Sequence, residues 1–267
     1  METTGLPAEL KGMLRGFSPV ADRMGGSRAR VYRYERGETA LYLKLSPIND
    51  EIRRERDLLL WLKGRLPVPD CLFYAEEGEN ACLLSSEMRG SLASVYGDVA
   101  VEPYAETVAR AAEGLKLWQS VDIGACPYSA TLDDKLALSL RNIKGETVSL
   151  DGYGPGEEFA SPMALYHYLT AHRPPEEKSL THGDYCLPNL FIKGGKISGF
   201  IDFGRGGVGC KWQDIAICTR SLRRNLRHLG EKREEYVALL FKELGIEQNM
   251  ERVRYYCLLD RLVWARR

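Results

Sequence analysis

Three acidic or amide side chains lie in two short motifs in the second half of the chain. The first motif, residues 182–189, contains Asp184 and Asn189, and the second, residues 201–204, contains Asp202. Phosphoryl transfer from a nucleotide needs an aligned acceptor hydroxyl and cations that neutralise the phosphates. Asp184 could orient the hydroxyl and accept its proton, while oxygens of Asn189 and Asp202 could bind Mg²⁺. The residue types therefore indicate phosphoryl-transfer chemistry.

The segment between the motifs predicts how they come together. Residues 190–201 read as two short strands around the turn at Gly194 and Gly195, and paired glycines are typical of a tight β-hairpin. A hairpin folds the chain back, so we expect Asp202 to return to the neighbourhood of Asn189. Each residue alone would more often be a turn former, and it is the set that points to catalysis.

The two motifs resemble those of the aminoglycoside phosphotransferase family. Protein kinases carry a His-Arg-Asp loop with an Asn five residues after the Asp, then Asp-Phe-Gly, whereas here Gly183 replaces the Arg. Residues 199–205 and 211–216 narrow the resemblance to the 3′-phosphotransferases, and it extends from Gly25 to Asp260. It implies a kinase-like fold, Mg²⁺ as cofactor, and transfer of the γ-phosphate of ATP or GTP to an aminoglycoside hydroxyl, with the 3′-OH expected.

Three further polar residues lie within or beside these motifs. His182 is expected to brace the first motif, residues 182–189, which we call the catalytic loop, as a structural histidine rather than carry a proton. Arg205 could stabilise the transferred phosphoryl group or support Asp184, and a salt bridge to a loop acid is an equal alternative. Asp214 is expected to accept hydrogen bonds from the backbone of the catalytic loop.

Two other motifs in this region have competing interpretations. Residues 204–209 satisfy G-x-G-x-x-G, but a dinucleotide-binding fold should continue with another strand bearing an acid, and the rest of the chain reads as helices. Cys186 near His182 could form a nucleophile and base pair. No oxyanion donor or orienting residue accompanies it, so we expect a buried structural thiol.

The first third of the chain is expected to hold the nucleotide. Apolar and polar residues alternate over Val31–Tyr34 and Ala40–Leu45, which predicts a hairpin whose second strand carries Lys44. The glycine-containing segment 25–30 before it could bring backbone N–H groups to phosphate oxygens. By the family resemblance, Ser27 matches the loop residue that covers the phosphates.

A helix is predicted from Asn49 to Lys63, capped by Asn49 or the residue after it. Glu55 lies three residues after Ile52 and four before Leu59, on the same inner stripe. A carboxylate in that position needs a cation. Lys44 is the candidate, giving the Lys–Glu pair that holds nucleotide phosphates in kinases.

An interlobe hinge is expected after the strand that ends near Ser86. By the resemblance, backbone groups around Ser86 and Met88 would bind the purine edge. Beyond this point the apolar residues recur at helical spacing. We therefore predict an N-terminal nucleotide-binding lobe, residues 1–88, and a C-terminal catalytic and substrate-binding lobe, residues 89–267.

The acceptor pocket should contain acids, because aminoglycosides carry several ammonium groups. Glu157 and Glu158 follow the Gly/Pro-rich residues 151–156, where the family has acidic substrate contacts. Asp260 projects from an apolar stripe of the last predicted helix and needs a partner, which a substrate ammonium would supply. The stripe comprises Val253, Tyr256, Cys257, Asp260 and Trp264. Many relatives have a second acid where this chain has Arg261.

Composition fits an enzyme acting on small molecules. The 267 residues carry 37 basic and 37 acidic side chains, which gives no overall bias toward nucleic acid or membrane. The arginines from Arg220 to Arg227 are interpreted as a solvated helix face rather than an RNA-binding patch. Seven cysteines without a C-x-x-C pair argue against a disulfide framework and a zinc site. The start lacks signal-peptide features and no apolar run is of spanning length, so we expect a cytoplasmic protein. Its expected partners are a nucleotide and a small-molecule aminoglycoside, bound by a monomer or weak dimer.

The sequence thus predicts an α+β, bilobal protein-kinase-like fold with an antiparallel sheet and one helix in the small lobe. Two other functions remain open. A kinase of another small hydroxylated metabolite would use the same fold. A catalytically silent nucleotide-binding regulator is disfavoured by the complete set of catalytic residues, which comprises Lys44, Glu55, Asp184, Asn189 and Asp202.

Overall fold

The computed structural model describes residues 6–21, 29–93, 104–150 and 158–264. The N-terminal part contains helices α1 (Ala8–Met13) and α2 (Asp50–Leu62) and strands β1 (Ser18–Ala21), β2 (Arg30–Arg36), β3 (Thr39–Pro47), β4 (Cys71–Glu77) and β5 (Asn80–Ser86). The strands form one antiparallel sheet in the order β1-β2-β3-β5-β4.

The hairpin expected in the first third of the chain is formed by β2 and β3, in which Val31 pairs with Lys44. Its turn contains Gly37 with φ of +58°, a conformation that glycine adopts without steric cost. Tyr34, Leu43 and Leu84 of the sheet pack with Leu10 of α1 into a small separate core. This packing fixes the strand that carries Lys44.

Helix α2 begins where the sequence predicts. The side chain of Asn49 accepts a 3.0 Å hydrogen bond from the amide of Ile52, which satisfies one of the free N–H groups of the first turn. The inner face buries Ile52, Leu58, Leu59 and Leu62 together with Glu55. The apolar stripe therefore holds Glu55 against the body of the protein.

The second part is mainly helical. Its helices are α3 (Tyr104–Ser120), α4 (Leu132–Lys144), α5 (Pro162–Ala171), α6 (Lys211–Asn225), α7 (Arg233–Leu244) and α8 (Met250–Val263), with 3₁₀ turns at Leu187–Asn189 and Arg227–Lys232. Its strands are β6 (Ser91–Leu92), β7 (Ser129–Ala130), β8 (Lys178–Thr181), β9 (Leu190–Lys193), β10 (Lys196–Phe200) and β11 (Gly207–Cys210). Trp118, Phe200 and Phe203 lie in the large core, which also contains Leu58 and Leu62 of α2.

The hairpin predicted between the two motifs is present. Strands β9 and β10 pair antiparallel around Gly194 and Gly195, and the amide of Ile201 donates a 3.1 Å hydrogen bond to the carbonyl of Asn189. The chain therefore returns beside the catalytic loop immediately before Asp202.

The G-x-G-x-x-G segment has a structural explanation. Its last part enters β11, which pairs antiparallel with β8 and parallel with β7. A Cβ atom added to Gly209 would lie 2.5 Å from the carbonyl oxygen of Ala130. The glycine permits close strand packing, and the context is not that of a dinucleotide-binding loop.

One expectation for the last helix is wrong. Trp264 is not part of the buried stripe, because α8 ends at Val263 and Trp264 follows as its C-cap in an extended conformation with 37% of its surface exposed. Within the described ranges, the helices are all too short or too polar to span a membrane.

Candidate active site

A lysine and two carboxylates meet between β3 and the loop after β10. Nζ of Lys44 lies 2.7 Å from Oε2 of Glu55 and 2.9 Å from Oδ1 of Asp202. Burial alone would lower the pKa of Lys44, but the two carboxylates outweigh it and raise the pKa. Burial raises the pKa of Glu55, whereas the charge of Lys44 lowers that of Asp202. The Lys44–Glu55 contact expected from the sequence is present, and Lys44 carries its charge.

The catalytic loop places Asp184 and Asn189 side by side. Nδ2 of Asn189 donates to the backbone oxygen of Asp184 at 2.9 Å and approaches its Oδ2 at 3.4 Å. Burial raises the pKa of Asp184 to about 6, and the charge of Asp260 adds to this, while Arg205 and Arg220 oppose it. A carboxylate with this pKa is largely ionised at neutral pH and can still accept a proton.

Asp214 holds the loop from behind. Its carboxylate accepts hydrogen bonds from the amides of His182 at 2.6 Å and Gly183 at 3.0 Å. Burial raises the pKa of Asp214 to about 7 against the effect of these two amides. The contact predicted for Asp214 is therefore present.

His182 is fully buried against Trp118 and Phe203. Its Nδ1 accepts a 3.3 Å hydrogen bond from the amide of Asp184, and burial lowers its pKa to about 4. The ring is neutral at physiological pH and braces the loop. Burial also raises the pKa of the Cys186 thiol, so this thiol is protonated and is not an activated nucleophile.

Gly183 explains why the arginine of the protein-kinase motif has no place here. Its φ is +84°, and an added Cβ would lie 2.5 Å from the carbonyl carbon and oxygen of Arg205. The catalytic loop and the turn after Asp202 thus touch backbone to backbone.

The donor set fits a magnesium ion. The amide nitrogen of Asn189 donates to Asp184, which leaves Oδ1 as the group able to take a cation, and Asp202 supplies a carboxylate held at φ of +60°. Positive φ at a non-glycine residue is a strained conformation that concentrates at functional sites. No cluster of three or more His, Cys, Asp or Glu able to hold a metal occurs in the described ranges. Two oxygen ligands suffice for Mg²⁺, because nucleotide phosphates and water complete its shell.

Ser86 and Met88, the residues expected at the purine edge, have different contacts within the protein. The amide of Ser86 donates to the carbonyl of Asp70 at 3.0 Å, and its Oγ accepts from the amide of Asp70 at 2.8 Å. The Ser86 amide is therefore bonded to Asp70, and a purine contact from the backbone near Ser86 stays a prediction. Met88 packs over Gly199, where an added Cβ would lie 2.4 Å from its terminal methyl carbon. Ser27 lies outside the described residues.

The acids expected in the acceptor pocket have arginine partners. Oδ2 of Asp260 lies 2.6 Å from Nη1 of Arg220, and Glu158 pairs with Arg254 of α8. Arg220 is therefore paired with a buried acid, which the interpretation as a solvated helix face did not include, although its side chain is still 36% exposed. Glu157 lies outside the described residues.

Arg205 contacts three elements. Its Nε donates to Glu51 of α2 at 3.0 Å, its backbone oxygen accepts from Nζ of Lys135 at 3.2 Å, and its Cζ lies 3.7 Å from the ring centroid of Trp264. The acid that pairs with Arg205 therefore belongs to α2, not to a loop. Burial lowers the pKa of Lys135 to about 8.

Sequence reasoning missed Lys135, although a signal was available. Lys135 lies three residues after Leu132 and next to Leu136, on the apolar stripe of α4. The same argument that selects Glu55 on α2 selects it. Lys135 is 5% exposed, which is rare for lysine without a strong partner.

An antiparallel sheet whose Lys44 contacts Glu55 and Asp202, beside a loop that pairs Asp184 with Asn189, is the arrangement of a kinase-like phosphotransferase. Residues 21–256 match the family described as "Phosphotransferase enzyme family", and the chain belongs to this family. It is 38% identical to an aminoglycoside 3′-phosphotransferase of Enterococcus faecalis, over 95% of this chain and 97% of the relative.

Solved structures share the fold over almost the whole chain. The crystal structure of an aminoglycoside-3′-phosphotransferase of type VIII superposes with a TM-score of 0.82 at 24% identity, covering 95% of this chain and 96% of the other. Aminoglycoside phosphotransferase APH(3″)-Id from Streptomyces rimosus, in complex with ADP and streptomycin, gives 0.78 at 22% identity and covers 96% of each chain.

Proposed function

We propose that this protein transfers the γ-phosphate of ATP or GTP to a hydroxyl of an aminoglycoside antibiotic, with the 3′-OH as the acceptor, and so confers resistance. The observation that carries the proposal is the meeting of Lys44, Glu55 and Asp202 beside an Asp184–Asn189 loop. The 3′-phosphotransferase name of the relative that is 38% identical supports the acceptor.

In this proposal Asp184 acts as the general base. Its carboxylate accepts the proton of the acceptor hydroxyl as the oxygen bonds to the γ-phosphorus and the bond from phosphorus to the bridging oxygen of ADP breaks. The pKa of about 6 keeps most Asp184 side chains ionised at neutral pH. The base is also strong enough to take the proton in the transition state.

Lys44 would orient the nucleotide phosphates, with Glu55 fixing its ammonium group. Asn189 and Asp202 would hold Mg²⁺, which when bound neutralises phosphate charge. Arg205 would face the transferred group, and His182 and Asp214 would keep the loop in place through the contacts described above.

We also propose that residues 1–88 bind the nucleotide and residues 89–267 the acceptor, in a monomer or weak dimer that works in the cytoplasm, where ATP is available. Met88 is proposed to lie against the purine. Asp260 and Glu158 would bind substrate ammonium groups only in competition with, or beside, Arg220 and Arg254.

The test is product mass after incubation of the purified protein with Mg²⁺, ATP or GTP and a panel of aminoglycosides with and without a 3′-hydroxyl. We expect a gain of one phosphate on the 3′-hydroxylated compounds alone. Transfer to compounds that lack the 3′-hydroxyl would show that another hydroxyl is the acceptor. No transfer to any drug by a nucleotide-binding protein would favour a kinase of another hydroxylated metabolite or a silent regulator.

A further inference from the structure

The side chain of Arg205 is held on more than one side. Its Nε donates a 3.0 Å hydrogen bond to Oε1 of Glu51. The indole of Trp264 covers the guanidinium, whose Cζ atom lies 3.7 Å from the ring centroid. Its side chain is 13% exposed. Nη1 is buried and has no hydrogen-bond partner in the described part of the chain. An unsatisfied buried donor costs free energy, so the guanidinium retains hydrogen-bonding capacity that a ligand oxygen could satisfy.

The position of Trp264 is itself fixed by α4. Nδ2 of Asn142 donates to the carbonyls of Leu262 at 3.0 Å and Val263 at 2.9 Å, which satisfies acceptors that the end of α8 leaves open. Trp264 then leaves the helix with φ of −75° and ψ of 100°. The same helix α4 carries Lys135, which binds the backbone oxygen of Arg205 at 3.2 Å.

Helix α4 therefore contributes to two anchors of Arg205: Lys135 binds its backbone oxygen, and Asn142 fixes the end of α8 that carries Trp264. Glu51 of α2 supplies the third. An arginine fixed in this way loses less freedom when it meets a developing negative charge than a mobile one. A cation over an indole face is attracted by the ring quadrupole, and the attraction grows with desolvation.

We propose that Trp264 is a positioning residue that acts through Arg205 on the phosphoryl-transfer step. The inference rests on the proposed function for the role of Arg205 but assigns Trp264 no contact with the acceptor. It predicts that Trp264 affects turnover and not the binding of either substrate.

The test is a double-mutant cycle with Trp264→Leu and Arg205→Gln. Trp264→Leu alone should lower kcat roughly 2- to 30-fold, the range expected for a cation–aromatic contact, with both KM values within about twofold. In the Arg205→Gln background the same substitution should have no further effect on kcat. Trp264→Phe, which keeps an aromatic face, should restore most of the turnover.

The matched control is Phe17→Leu, which removes another arginine–aromatic contact, in which Cζ of Arg36 lies 4.4 Å from the ring centroid of Phe17. Phe17 immediately precedes β1. This control should leave kcat unchanged. An equal loss of kcat from Trp264→Leu in both backgrounds, or a change in acceptor KM alone, would overturn the proposal.

Hydrolysis of ATP without acceptor separates this inference from the proposed function. It is measured on the wild type, Trp264→Leu, Arg205→Gln and the double variant. If the wild type hydrolyses ATP but phosphorylates no aminoglycoside, the proposed function fails while non-additive hydrolysis rates still support the role of Trp264. Additive hydrolysis rates would refute it. A wild type that transfers phosphate to neither drug nor water would overturn both.

Discussion

Oδ2 of Asp260 lies 2.6 Å from Nη1 of Arg220, and the Asp260 side chain is 5% exposed. An acid that could attract a substrate ammonium is therefore already paired with a cation of the protein, the partly exposed Arg220. Removing one member of such a pair leaves the other desolvated charge without compensation. The contact links α6 to α8 and adds to the charges that act on Asp184.

Arg220→Met should destabilise the fold, because it leaves the buried carboxylate of Asp260 unpaired. We expect a decrease of about 1–3 kcal/mol in the free energy of unfolding, measured by urea denaturation at pH 7. Arg223→Met is the matched control, since its partner Glu234 is 45% exposed, and should cost at most about 1 kcal/mol. Equal losses for the two variants would contradict the role of burial.

Asp184→Asn should lower kcat by roughly 10²-fold or more, because the amide cannot accept the acceptor proton. Nucleotide affinity, measured by calorimetry with Mg-ADP, should change little. A variant that retains wild-type turnover would remove Asp184 from the role of base.

The pH dependence of kcat/KM should report the ionisation of Asp184. Burial raises the pKa of Asp184 to about 6, and the base is active only when ionised, so activity should rise with pH through about 6. Asp260→Asn removes a charge that raises this pKa, so the acid limb should move to lower pH. If the acid limb stays in place or moves to higher pH, it does not report the ionisation of Asp184.

Asp202→Ala should weaken Mg-nucleotide binding roughly 10-fold or more, since it removes a metal ligand and one of the partners of Lys44. Titration of nucleotide with and without Mg²⁺ is the measurement. Asp122→Ala changes an exposed loop aspartate and is the control. Unchanged affinity in Asp202→Ala would count against the metal assignment.

Gly183→Ala should disturb both the loop and the turn after Asp202. The left-handed backbone alone costs about 1–2 kcal/mol, and the added Cβ would overlap the Arg205 carbonyl at 2.5 Å. We expect a lower midpoint of thermal unfolding together with a loss of kcat. Gly194→Ala is the control, because it has a similar φ of +57° and open space around the added Cβ; it should show the backbone cost without the loss of activity.

The sequence by itself determined the parts of the site that depend on short-range interactions. The turn at Gly194 and Gly195 predicts the β9–β10 hairpin, and with it the return of Asp202 to the Asp184–Asn189 loop. Asn49 caps α2, and the apolar stripe of that helix assigns Glu55 to the inner face. These features follow from neighbours a few residues apart, whose geometry is set by turn and helix periodicity.

Only the tertiary structure decided which charges meet. Asp260 and Arg220 are 40 residues apart, and Lys135 and Arg205 are 70 apart. A charge on an apolar stripe must have a partner, but periodicity does not specify which distant side chain provides it. The choice depends on how helices pack against one another, and for Trp264 on where α8 ends, because that end brings its indole over Arg205.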